Sequence, residues 1–114
     1  MSTINISQIT NSKRAISAAD GEVVFNQIIT AFDKQERVVL DFAGIELTIT
    51  AFLNSSIGKL YSLYSSEDIR ELLDIVNLPN DEVSLLKIVI DRAKQRFSKE
   101  YPEDLGSIDI VNED

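Results

Sequence analysis

The sequence predicts an α/β domain, a small mixed β-sheet covered by about four helices, and three observations carry that expectation. Four short segments, at Thr3–Thr10, Val38–Phe42, Ile45–Ile49 and Leu73–Leu78, have the alternating or unbroken apolar pattern of strands. Longer stretches of helical period lie between and after them, each opened by a Ser, Thr, Asp or Asn. The chain has 114 residues, 44% of them apolar and 26% charged, which suits one domain with one core.

Taken in order, Ile4 and Ile6, with Ile9 beyond them, alternate with polar residues as in a half-buried strand. Asn11-Ser12-Lys13-Arg14 is a polar break, after which Ala15–Ser17 either adds a short second strand or leads into a helix. Ser17 and Asp20 are both suitable N-caps for a helix running to about Gln35. Its buried stripe is Val24, Ile28, Ala31 and Phe32, widened by Val23, Phe25 and Ile29. Asp33–Arg37 is a charged turn, and Val38-Val39-Leu40-Asp41-Phe42 has the density of β-branched and apolar residues expected of a strand buried on both faces. Gly44 is a turn residue that breaks this run, and Ile45–Ile49 resumes as a strand leaving toward the sheet edge.

From Thr50 the period becomes helical, with Leu53, Ile57, Leu60, Tyr61 and Tyr64 on one side and Gly58 where the helix approaches the sheet closely. Ser65 and Asp68 stand at capping-box spacing for a short helix before the strand Leu73–Leu78. Pro79-Asn80-Asp81 stops that strand and opens the last helix, lined inside by Val83, Leu86, Val89, Ile90, Ala93 and Phe97. Pro102 closes it. Residues 1–102 form the domain, and 103–114 an acidic tail with a candidate short strand at Ser107–Val111.

Composition excludes several chemistries. The chain has no Cys or His, which removes thiol nucleophiles, disulfides, imidazole or thiolate metal sites and His acid–base catalysis. A net charge of −8 is not that of a nucleic-acid binder. No signal peptide and no spanning stretch of about 18 apolar residues is evident, so a cytoplasmic location is expected, away from the membrane. The four glycines make no phosphate-binding signature, and no cofactor or metal site emerges. Asp41, near the end of the expected central strand, is better placed to cap a neighbouring loop than to catalyse, and no second polar group stands at a diagnostic spacing. No enzyme is therefore expected. A hydroxyl at Thr50 would satisfy free N–H groups at a helix start. Asn54, Ser55, Ser56 and Lys59 fall away from the Leu53–Ile57–Leu60 stripe, either as a solvated face or as a contact surface. Tyr61, Tyr64, Tyr101 and Phe52 are candidate interface anchors, although their helical spacing favours the core.

The run Val38-Val39-Leu40-Asp41-Phe42-Ala43-Gly44-Ile45, followed by Thr50-Ala51-Phe52-Leu53-Asn54-Ser55-Ser56-Ile57-Gly58-Lys59-Leu60-Tyr61, resembles the STAS-like domain family of uncharacterised bacterial proteins. These are related in fold to anti-sigma factor antagonists, and the resemblance extends from Ile4 to about Phe97. It implies a single STAS-like domain that binds a protein partner, a kinase-like ATPase or another signalling protein. In the antagonists a Ser entering this helix is phosphorylated, and the modification releases the partner. Here Ile49-Thr50-Ala51-Phe52 stands where they carry Asp-Ser-Ser-Gly, which sets Ala51 at the acceptor position and makes neighbouring Thr50 the candidate phospho-acceptor. The resemblance also assigns partner binding to Phe52, Asn54, Ser55, Ser56 and Lys59. The alternative is an acidic phage or mobile-element protein that blocks a nucleic-acid-binding partner by charge mimicry. The oligomeric state, a homodimer included, is left open.

Overall fold

The computed structural model describes residues 1–97. The main sheet has three parallel strands in the order β1 (Ser2–Asn5), β3 (Val38–Asp41) and β5 (Leu73–Val76). Ile4 lies beside Leu40, which lies beside Ile75, and this row faces the core. A second, two-stranded parallel sheet pairs β2 (Arg14–Ala15) with β4 (Leu47–Thr48). The buried Thr48 hydroxyl reinforces it by donating to the Ala15 carbonyl at 2.8 Å.

The α/β class expected from the sequence is the one observed. All pairings among the described residues are parallel rather than mixed, as strands joined through intervening helices must be when they return in the same direction. Ile45–Ile49 contributes only two strand residues, and these belong to the small second sheet instead of the edge of the first.

The first strand stops at Asn5, and Ile6–Thr10 forms helix α1. Ile6 and Ile9 stand three residues apart, a helical spacing as well as a strand-like one, and Ile6 is fully buried. Asn11 ends the helix in the left-handed region (φ 53°), with its N–H donating to the Ser7 carbonyl. Helix α2 (Ala18–Asp33) starts at Ser17, whose Oγ accepts from the Asp20 N–H at 2.9 Å. Its core side holds Val24, Phe25, Ile28, Ala31 and Phe32, whereas Val23 turns out to solvent.

Strand β3 has both hydrogen-bonding edges occupied, yet its faces differ. Val38 and Leu40 are buried; Val39 and Asp41 on the opposite face are only half-buried. Its centrality comes from hydrogen bonding rather than from burial on both faces.

Helix α3 (Thr50–Ser56) continues into a 3-10 helix (Gly58–Ser62). Helix α4 (Ser66–Leu72) is capped by Ser65, whose Oγ accepts from the Asp68 N–H. Helix α5 begins at Asn80 and is described to Phe97. Leu86, Val89 and Ala93 are its buried positions, and Val83 is exposed. Helix α2 packs on α3, and α5 packs on α3 and the 3-10 helix. Phe32, Phe42, Phe52, Leu53, Ile57 and Leu60 fill the space between these helices and the sheet. No helix among the described residues is long and apolar enough to cross a membrane. The expected closure at Pro102, Tyr101 and the acidic tail lie outside the described residues.

Candidate partner-docking site

Gly44, at φ +86°, turns the chain after β3 and sends it through β4 to the start of α3. Only glycine adopts this conformation readily. Asp41 fixes the same turn: its Oδ1 accepts from the Ala43 N–H at 2.8 Å and from Asn77 Nδ2 at 2.9 Å. These bonds, the Asn77 side chain's first, hold the Asp41 carboxyl below its ordinary value. Asp41 is thus a loop cap joining the ends of β3 and β5. A depressed carboxyl contributes stability above its unfolded pKa of about 3.9, and the contribution is lost as pH falls through the lower folded value. Asp41→Asn should therefore flatten the acid limb of a plot of urea midpoint against pH. An acid limb identical to that of the parent chain would contradict this.

Thr50 is the first residue of α3 and is exposed. Ile49 occupies the cap position and no side chain caps this helix, so the capping role expected of Thr50 is not realised. One turn on, Asn54 is also exposed. Lys59 extends across to α2, where its Nζ meets Glu22 Oε1 at 2.6 Å and sits 4.5 Å from the centre of the Phe25 ring. An open cleft of about 330 Å³ lies between α3 and the last described turns of α5, lined among others by Ala51, Asn54, Lys59, Ala93 and Arg96.

The other expected contact residues are placed differently. Phe52 has no exposed surface and sets its ring edge-on to Phe42, with centroids 6.4 Å apart. It supports the surface from beneath. Ser56 is fully buried and donates to the Phe52 carbonyl at 2.7 Å, while half-buried Ser55 donates to the carbonyls of Ala51 and Phe52. Both satisfy their hydroxyls within the helix. A Cβ on Gly58 would come within 3.4 Å of Val89 Cγ1, so the close approach there is to α5 and not to the sheet. Tyr61 and Tyr64 pack half-buried against the core, Tyr64 edge-on to Phe32 and donating to Asp33 Oδ1. The sequence reading missed Gly21, where α2 meets α3 so closely that a Cβ would lie 2.8 Å from the Phe52 carbonyl oxygen.

The strand–turn–helix passage that builds this surface lies within residues 20–82, which match the family described as STAS-like domain of unknown function (DUF4325). The chain belongs to this family. The STAS-like match covers more than half of the chain, from the first turn of α2 to the first turn of α5, and so includes β3, α3 and β5. No curated protein and no solved structure gives a significant match.

Proposed function

We propose that this STAS-like domain is a non-enzymatic binding module that docks a signalling partner, a kinase-like ATPase foremost, on the outer side of α3. The observation that carries the reading is an open cleft lined by Asn54 and by Lys59, itself paired with Glu22, beside a helix whose first residue, Thr50, is exposed, over a core filled by Phe52, Leu53 and Ile57. Rigid packing beneath a polar surface is what a preorganised interface requires. Thr50 is the candidate switch, because its side chain is exposed and caps no backbone group. Phosphorylation there would add a charge of about −1.5 to −2 at the rim of the docking surface.

The charge layout makes mimicry the weaker reading. Residues 1–97 carry ten cations against thirteen carboxylates, close to balance. Glu22, Glu46 and Asp74 are paired with Lys59, Lys13 and Arg37, so these three carboxylates are offset by neighbouring cations.

The test is affinity capture from the native host with the full chain and with an Asn54→Ala, Lys59→Ala variant. An ATPase-type partner is expected with the first and at least tenfold less of it with the second. Retention of that partner at full level by the variant would refute the docking surface. Mass spectrometry after incubation with the captured kinase should place a phosphate on Thr50; a fully active kinase that leaves Thr50 unmodified would remove the switch.

A further inference from the structure

A second groove, of about 230 Å³, lies between α4, β5 and α5 and shares no lining residue with the cleft beside α3. Ile57, Ile69, Ile75 and Ile90 make its apolar base, and Arg70 and Lys94 stand at its rim. Neither cation has a carboxylate within salt-bridge distance among the described residues. An apolar base with two uncompensated cations suits an acidic segment that carries aliphatic side chains.

The chain's own sequence contains such a segment. Residues 103–114 hold Glu103, Asp104, Asp109, Glu113 and Asp114 with no Lys or Arg, and Leu105, Ile108, Ile110 and Val111 among them. The chain as a whole is at −8, so most of its imbalance lies in these twelve residues. Ile90 and Lys94 lie seven and three residues before Phe97, the last described residue, within about 10 Å of helix. Residues 98–103 reach up to about 20 Å when extended, enough to return to the groove. Being covalently attached, the segment would be presented at an effective concentration no free peptide matches. We propose that the groove rimmed by Arg70 and Lys94 binds this C-terminal acidic segment of the same chain, with an isoleucine beside Asp109 in the apolar base and the carboxylates on the two cations.

The absence of cysteine makes the test clean. A nitroxide attached to the full chain through Ser107→Cys should broaden the amide resonances of Ile69, Arg70, Ile75, Ile90 and Lys94 selectively. Val23 and Asn26, on the outer side of α2, should keep theirs. Adding Arg70→Glu and Lys94→Glu, two charge reversals outside the core, should abolish the broadening while leaving the dispersion of the spectrum intact. About 1 M salt, where the Debye length is near 3 Å, should weaken it strongly. Broadening spread evenly over the molecule, or unchanged by the charge reversals, overturns the proposal. So does broadening that appears only when spin-labelled, isotope-free chains are mixed with labelled-isotope partners, since the occupant would then be the segment of a second copy.

Discussion

Phe52→Ala should lower the unfolding free energy by about 3–5 kcal/mol, the largest effect expected of any single truncation on α3. Phe52 has no exposed surface, its ring is edge-on to Phe42, and Leu53 and Ile57 on the same helix are equally enclosed. Removing the ring takes away its transfer free energy and its aromatic contact, and the sheet on one side and α2 on the other limit collapse into the space. For a domain of about this size the loss corresponds to a fall in Tm of roughly 15 °C or more. Asn54→Ala, two residues away but exposed, should stay within about 0.5 kcal/mol of the parent. Urea midpoints of the two variants, compared beside partner capture, separate support from contact. If Phe52→Ala abolished capture with an unchanged midpoint, Phe52 would be a contact residue and its placement in the core would be wrong.

The contrast between Phe52 and Asn54 also marks where the sequence was legible. Periodicity identifies which residues seek burial, and it located α2 by Val24, Ile28, Ala31 and Phe32 and the helix starts at Ser17 and Ser65 by their capping chemistry. It does not say how wide a buried stripe is. Helix α3 packs against α2 and α5, and Phe42 just after β3 meets Phe52, so Phe52 and Ser56 are covered together with Leu53 and Ile57. Isoleucines at positions 4, 6 and 9 fit both a strand and a strand followed by a helix, and tertiary packing decided for the second. The sequence reading expected a mixed sheet and missed its parallel direction, although a helix-containing connection runs between each consecutive pair of main-sheet strands. Which neighbour Gly58 approaches was not legible, because a missing side chain records closeness without naming what is close. On the candidate site, the sequence singled out Thr50, Asn54 and Lys59 as surface residues, but nothing in local spacing signalled the reach of Lys59 across to Glu22.

Gly21→Ala carries the second large effect, and its sign is opposite to that of the usual helix rule. In a helix interior, alanine in place of glycine stabilises by about 1 kcal/mol through backbone entropy. At Gly21 the new Cβ would overlap Ser55 Oγ and lie 2.8 Å from the Phe52 carbonyl oxygen and 3.1 Å from Ser55 Cβ. The serine hydroxyl can rotate away, but the carbonyl is backbone and moves only if α2 and α3 separate. A net loss of about 1–3 kcal/mol is expected, as for other overpacked sites. Adding Ser55→Ala removes the overlapping oxygen and should recover only part of the loss, because the carbonyl contact persists. Stabilisation by Gly21→Ala alone would show that the two helices have room to spare. The same separation would draw Glu22, the next residue, away from Lys59 and shift the outer side of α3 relative to α2. If α3 carries the proposed docking surface, partner capture by Gly21→Ala should therefore fall even at temperatures where the variant is fully folded, which would tie the packing of a buried glycine to the geometry of that surface.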